Sequence, residues 1–559
     1  MNNTLIINLK RNGDILSLAH LINSIHATSK GQISILIFEE FKSVAKLLKK
    51  VTKIYTIDRK SFLALKKNAL FHDIFSLENL FLDLEEVRTQ RWNQIINTSN
   101  DRVSSYVSSL LGYSDQKVID GTYFDKSNCV SFSSKWARVL NDVLPCYKYS
   151  PTNHVDCLHY LIENLREKEG QKINSSPQHN TIAFENINRI RENESKMGNK
   201  IKIIGLQLKS SSLEKDIPFN TLIQLIDLIL NNPIYFPILL IAPTNEEREF
   251  GNKINKYFDN ALVSVESDFK ALPSVLLNID LLVTPDTVIK HLADLLDTPL
   301  VEVSTGWAPF LKQGTLNPNS VILTERPSKR IFNQSDYEDS DTSITGNDIY
   351  NAIKCVFEPR LDESLTFSSN ISLYRSNEDK LGVYYHRTGG QKDDEFNLAL
   401  LVSRYITFKM IIPGYKDEDF LSKVANEFKY SIKDWLNIEK NILLDTAKTL
   451  LSAIRHLTTQ GSENSYEEFT YSLDQLLSGC ENNNLVSIAL LIFRSYIENL
   501  NTSNARDNAE KVEVSLYDLK KSFQKISLGI REIEEAVEKI RKNDLVMGRE
   551  KTSLLDSRL

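Results

Sequence analysis

The stretch Asp280–Pro299, reading DLLVTPDTVIKHLADLLDTP, restricts the fold more than any other part of this chain. Leu281 to Val283 form a short apolar run of the kind that makes a buried strand, and Thr284-Pro285-Asp286-Thr287 is a turn. Beyond the turn, apolar or small residues at Val288, Leu292, Ala293, Leu295 and Leu296 fall at helical spacing, and Asp286 or Thr287 is placed to cap that helix. A strand that turns directly into a helix is the repeating step of an open α/β sheet. The unpaired N–H groups at the helix start then lie at the strand ends, where such sheets bind anions, phosphate above all. His291 follows about one turn along. The turn therefore offers an acid, a hydroxyl and an imidazole to whatever binds there.

The same step recurs along the chain. Thr4 to Leu9 is a strand candidate, Lys10-Arg11-Asn12-Gly13-Asp14 a turn, and Leu16, Ala19, Leu21, Ile22 and Ile25 line a helix that starts at Ile15. Ile33 to Phe38, Lys53 to Asp58 and Gln94 to Ser99 continue as strands separated by helices. A polar segment, Glu167 to Lys200, reads as a linker or a surface helix. A second series starts with strand Ile201 to Leu208 and helix Phe219 to Leu230. It runs on through strands Phe236 to Ala242, Leu262 to Val265 and Leu300 to Ser304. Alternation of this kind predicts parallel sheets with right-handed crossovers. The expected architecture is an N-terminal Rossmann-like lobe over 1–170 and a second over 200–345, facing across a cleft. A linking helix over 346–358 and a mostly helical region over 359–559 complete it. An acidic polar stretch from Asn333 to Thr345 marks the end of the second lobe. Near the C-terminus Leu516, Leu519, Phe523, Ile526, Ile530, Ile533, Val537 and Ile540 alternate in steps of three and four. That is a coiled-coil-like seam over 509–543, suited to a helical hairpin or an oligomer contact.

Composition narrows the function classes. A formal net charge of -6 and a pI of about 6.0 argue against a dedicated nucleic-acid binder. Cys129, Cys146, Cys157, Cys355 and Cys480 are scattered and lack CxxC spacing, which points to reduced thiols in a cytoplasmic protein and away from a structural metal site. No stretch reads as a signal peptide or a membrane span.

Three segments resemble the bacterial heptosyltransferases, glycosyltransferase family nine, over roughly residues 1–355. LIINLKRNGDILSLAHLINSI (Leu5 to Ile25) is similar to the family's opening strand, Arg-x-x-Gly-Asp turn and helix. IGLQLKSSSLEKDIPFNTLIQLI (Ile204 to Ile226) is similar to its hydroxyl-rich loop and Lys-x-x-Pro segment. Asp280–Pro299 is similar to its Asp-Thr-Gly-x-x-His-x-Ala helix start. Each motif is weak alone. Together they stand in order, each at the C-terminal end of an expected strand.

The resemblance implies a GT-B fold and a reaction. A heptose-like sugar passes from a nucleotide diphosphate, typically ADP-heptose, to an acceptor hydroxyl with inversion and without a metal or other cofactor. It makes Asp14 the general base, which suits a carboxylate on a cleft-facing turn. The plainer reading, that Asp14 caps its helix, is compatible with this. Lys10 and Arg11 beside it would lower its pKa and hold an anionic acceptor. The resemblance assigns the donor diphosphate to Ser210, Ser211, Lys215, Asp286, Thr287 and His291, where a lysine and hydroxyl donors would meet the charge that develops on the leaving group. The plainer readings are a surface lysine, a serine-rich turn and a packed helix histidine. One departure bears on the donor: Val288 stands where the family has glycine, and a β-branched residue restricts close approach of a ligand to the backbone. Ser304 to Pro309, with Trp307, resembles the family's donor loop only loosely.

Lys42, Lys46, Lys49, Lys50, Lys53, Lys60, Lys66 and Lys67 form a basic run in the first lobe. Such a run is an ordinary solvated face or one that meets anionic glycan or lipid phosphate at the inner face of the inner membrane. The loop His386 to Phe396 carries charge without a spacing that specifies chemistry. The expected partners are thus a nucleotide sugar, a glycan (lipopolysaccharide core, or lipid-linked) or protein acceptor, and a second copy through the C-terminal helices. A catalytically inactive GT-B scaffold acting through its helical domain is the alternative from another class.

Overall fold

A computed structural model describes the chain except for residues 1–2, 30, 66–71, 113–117, 126–128, 164–171, 195–199, 306–309, 328–342, 459–462, 501–504 and 557–559. Trp307 and most of the acidic stretch, with Lys66 and Lys67, lie outside the described residues. The chain divides into two compact units. One comprises Met1–Tyr123 with Asn153–Asp393, the other Phe124–Thr152 with Asp394–Leu559.

The first unit holds both Rossmann-like lobes, as expected of a GT-B fold. In the first, β1 (Asn3–Ile7), β2 (Gln32–Phe38), β3 (Lys53–Ile57), β4 (Gln94–Asn97) and β5 (Val118–Asp120) form a sheet in the order β3-β2-β1-β4-β5. All its pairings are parallel. Leu5, Ile7, Leu36, Ile95 and Val107 are fully buried in its core. Central strands buried on both faces must be apolar throughout, so β1 reads as a run rather than an alternation. Two short strands, β6 (Thr122–Phe124) and β7 (Val130–Phe132), lie where the chain leaves this lobe.

The second lobe is built on β8 (Lys202–Gln207), β9 (Tyr235–Ile241), β10 (Val263–Glu266), β11 (Leu281–Pro285), β12 (Leu300–Ser304) and β13 (Val321–Glu325). These pair in parallel in the order β10-β9-β8-β11-β12-β13. Two further strands, β14 (Ile371–Asp379) and β15 (Gly382–Gly390), extend that sheet antiparallel beyond β13. This corrects the expected start of the helical region at 359: the helices begin at Asp394, and the segment read as a loop from His386 to Phe396 ends a strand, which runs to Gly390, and opens that helix. The hairpin turns at Gly382, whose φ of +87° an L side chain would strain. The linking helix is present as Gly346–Phe357, with a capping box between Thr345 and Asp348. Part of the polar segment is a helix, Pro177–Glu194.

The second unit is helical, and Phe124–Thr152 belongs to it rather than to an uninterrupted first lobe over 1–170. Its last helix, Ala505–Asp556, carries the heptad seam. Leu516, Leu519, Phe523, Ile526, Ile530, Ile533 and Val537 are all buried. They face the helices Asp394–Ile411, Glu418–Phe428, Ile432–Thr458 and Leu485–Glu498 of the same unit. The apolar stripe is thus covered within the chain, as the core of a bundle. Among the described residues, no helix is long and apolar enough to cross a membrane.

Candidate functional site

Two strand-to-helix turns carry most of the expected residues. After β1 the helix Asn12–Ser29 starts three residues before the expected Ile15, so Asp14 sits inside its first turn. The Asp14 carboxylate accepts from the Arg11 backbone N–H at 3.3 Å, which satisfies one of the free donors of the helix start. Its other oxygen accepts from Nε2 of Gln313, on the short helix Phe310–Gln313 of the second lobe, also at 3.3 Å. The candidate base therefore touches both lobes. Lys10 is exposed and pairs with Asp101 at 3.5 Å, and Arg11 is exposed on the same turn. Six lysines of the basic run are described; Lys42 pairs with Glu39, Lys53 with Glu86, and Lys50 donates to Asn23, the habit of a solvated face.

After β11 the helix Val288–Leu295 is capped by Thr287, whose hydroxyl accepts from the Ile289 N–H and donates to Oε1 of Gln207 at 2.8 Å. Thr284 donates to the same oxygen at 2.5 Å. Gln207, at the end of β8, thus fixes the turn from the neighbouring strand. Asp286 is the hub of an ion network. Its carboxylate receives Lys215 Nζ at 3.0 Å and Lys290 Nζ at 2.6 Å. Lys290 is fully buried, donates also to the carbonyl of Gln313, and lies 3.6 Å from Glu302, which is fully buried too. Glu302 accepts from the Thr315 N–H at 2.8 Å, and Asp294 accepts from the Thr315 hydroxyl and the Leu316 N–H.

Burial opposes charge on Asp286, but Lys290 and Lys215 outweigh it and hold the carboxyl far below its ordinary range. Burial likewise opposes the Lys290 cation, and Asp286 with Glu302 overcomes it, so Lys290 stays protonated. Glu302 is pushed up to about 7 and Asp294 to about 6, in both cases by burial. Burial and the adjacent Lys290 bring His291 down to about 3, so its ring is neutral. That ring packs on the first turn of the other lobe: a Cβ at Gly13 would lie 2.9 Å from Cδ2 of His291. His291 therefore joins the two helix starts rather than supplying positive charge to a phosphate.

The hydroxyl-rich loop follows β8. The Ser210 N–H donates to Asp216 at 2.6 Å and its hydroxyl to the Ser212 carbonyl at 2.5 Å, while Ser211 is exposed. Lys209 pairs with Asp216 at 3.0 Å. Lys215 is buried, and its carbonyl accepts from the Thr305 hydroxyl at 2.9 Å. The structure thus gathers Lys215, Asp286, Thr287 and His291 with Asp14. It leaves Lys10, Arg11 and Ser211 at solvent-exposed positions and gives Ser210 to its own loop.

Lys290, Glu302, Gln207 and Gln313 are additions to the site. The spacing of Asp286 and Lys290, four residues apart across a helix start, is a signal readable in the sequence. Glu302 inside the apolar run LVEVS is a second, since a carboxylate in a buried strand needs a partner. Gln207 and Gln313 carry no such mark. Among the described residues, no group of three or more His, Cys, Asp or Glu side chains is placed to hold a metal ion.

Residues 123–331 match the family model for glycosyltransferase family 9 (heptosyltransferase). A search of curated proteins gives no match. Among solved structures, a family 9 glycosyl transferase from Veillonella parvula is 12% identical, with 64% of this chain and 97% of that one covered and a TM-score of 0.45. The E. coli ADP-heptose lps heptosyltransferase II is 13% identical over 64% of this chain and 99% of its own, with a TM-score of 0.44. E. coli heptosyltransferase WaaC with ADP is 14% identical, over 63% and 99%, with a TM-score of 0.43.

Proposed function

We propose that this chain transfers a heptose-like sugar from a nucleotide diphosphate sugar to a hydroxyl of a glycan such as a lipopolysaccharide core, with inversion and without a metal. The observation that carries the reading is the Gln313–Asp14 contact, which sets the carboxylate of the first lobe beside the lysine-rich helix start of the second. In this reading the acceptor hydroxyl gives its proton to Asp14 as its oxygen bonds to the anomeric carbon. The bond from that carbon to the diphosphate breaks, and the nucleoside diphosphate leaves with the electron pair. Lys215 meets the charge that grows on the leaving group. Asp286 holds two lysines in the resting chain, so Lys215 can turn to the diphosphate while Lys290 keeps Asp286 paired.

A panel of nucleotides and nucleotide sugars, ADP-heptose included, tests this by calorimetry and thermal shift on the whole chain. A specific ligand whose binding is lost in Lys215→Ala is expected. With that donor, Asp14→Ala should lower transfer by about 10² to 10⁴ while leaving nucleotide binding in place. Absence of binding across the panel would sink the reading. It would favour an inactive scaffold instead, for which one observation already speaks: Lys215 is occupied by Asp286, next to Val288 in place of glycine.

A further inference from the structure

His154 is a buried group that the site described so far does not use. It opens the helix His154–Leu161, which is capped by the Asn153 side chain accepting from the Val155 N–H at 2.9 Å. The residue is 7% exposed, and neither ring nitrogen has a hydrogen-bond partner among the described residues. Buried polar atoms in native proteins nearly always have partners, so two orphans on one ring leave both nitrogens available to a further group.

Its surroundings say where that group sits. The His154 helix packs on the Asn12–Ser29 helix that carries Asp14 and on the Phe310–Gln313 helix that touches Asp14. Asn153 donates to the Tyr385 hydroxyl at 2.7 Å, and Tyr385 donates to the carbonyl of Gly314, next to Gln313, at 2.7 Å. This chain of bonds fixes the start of the His154 helix against the turn that holds Asp14. Burial brings the imidazole's pKa down to about 4; the charge of Asp14 works against that, and Lys312 and Lys10 add to it. A neutral imidazole has one donor and one acceptor, the complement of a hydroxyl.

Resting on the proposed sugar transfer, we propose that His154 and Asp14 form one subsite for two hydroxyls of the acceptor sugar. Asp14 takes the proton of the attacking hydroxyl, and His154 hydrogen-bonds the neighbouring one. The pair would make the enzyme selective for an acceptor with adjacent hydroxyls. His154 is then an acceptor-binding residue, and the donor has no contact with it.

The test uses the whole chain with its histidines labelled at Cε1, the His154 signal being the one lost in His154→Phe. That signal should stay neutral between pH 5 and 8, move in Asp14→Asn, and move again when a heptose-free lipopolysaccharide core oligosaccharide is added. In transfer assays with ADP-heptose, His154→Phe should lower kcat/KM for the oligosaccharide about tenfold or more. The KM for ADP-heptose and its slow hydrolysis by water should not change. Unaltered transfer in His154→Phe, or a His154 signal unmoved by an oligosaccharide that the enzyme is using, would overturn the inference. If the wild type binds no nucleotide sugar, the proposed function falls by itself. The oligosaccharide then decides the subsite: a His154 signal that it still moves supports the inference, and an indifferent one removes it.

Discussion

The turn after β1 and the turn after β11 occupy equivalent places, each leading from an inner strand of its sheet into a helix. They handle charge in opposite ways. At the first, Asp14 is half-buried and held by two contacts of 3.3 Å, with Lys10 and Arg11 on the exposed turn beside it. At the second, Asp286 is bound by two lysines, one of them fully buried and backed by a buried glutamate. A loosely held carboxylate can exchange a proton at small cost. A closed network cannot, but it offers a fixed field that needs no reorganisation when charge develops nearby. One local fold thus carries a loosely held carboxylate in one lobe and a fixed electrostatic frame in the other. The difference lies in a few side chains, above all Lys290 and Glu302.

The largest expected effect breaks the second turn. Lys290→Met removes the cation shared by Asp286 and Glu302 and leaves buried carboxylates under-compensated. The expected loss is about 3 to 5 kcal/mol in chemical denaturation. Glu302→Gln should cost far less, since Lys290 keeps Asp286. If Lys290→Met were neutral, the contrast between the turns would collapse.

pH separates the groups next, and the signs follow from the direction of each shift. Glu302 has its pKa raised from 4.5 to about 7, so its contribution is whole below 4.5 and is lost as the pH rises through 7. The deficit of Glu302→Gln against wild type should therefore shrink over that range. His291 has its pKa lowered from 6.5 to about 3, so its contribution is present above 6.5 and is lost as the pH falls towards 3. The deficit of His291→Gln should shrink on acidification. Melting temperatures of the three proteins from pH 3 to 8 check both; parallel curves would show that these groups are not buried as described.

Much of this was legible in the sequence because it is local. The strand-turn-helix steps announce themselves by apolar runs followed by helical spacing, and Thr287 at the cap follows from its place in the turn. The hairpin β14–β15 carried its own signal in ISLYRS and GVYYHR around Lys380–Gly382, but the helical texture further on masked it. Gln313 meets Asp14 from 299 positions away, and Gln207 meets Thr287 from 80. No spacing rule reaches across such separations, and a glutamine looks the same in a loop as in a site. The heptad seam was readable as a stripe, whereas what covers it depends on tertiary packing.

A smaller effect sharpens the junction between the turns. A methyl at Gly13 would lie 2.9 Å from Cδ2 and 3.2 Å from Nε2 of His291, inside contact distance. Gly13→Ala should destabilise by about 1 to 3 kcal/mol, as overpacking does. Combining it with His291→Ala should recover part of that loss, with a coupling energy of about 0.5 kcal/mol or more. Strict additivity would show that the helix starts do not meet through this ring.

The smallest effect divides two serines that the family resemblance treats alike. Ser210 donates to the Ser212 carbonyl and accepts from the Ser212 N–H at 3.2 Å, so it is spent on its own loop. Ser210→Ala should cost about 0.5 to 1.5 kcal/mol of stability. Ser211 is exposed, so Ser211→Ala should stay within about 0.5 kcal/mol of wild type. A hydroxyl that meets the donor diphosphate would show itself differently, as nucleotide binding weakened about threefold to tenfold at unchanged stability. Calorimetry on the two variants separates the roles. If Ser211→Ala binds nucleotide as wild type does, the loop shapes the site around Lys215 without touching the ligand, and the positive charge of the second turn acts on the diphosphate without help from these hydroxyls.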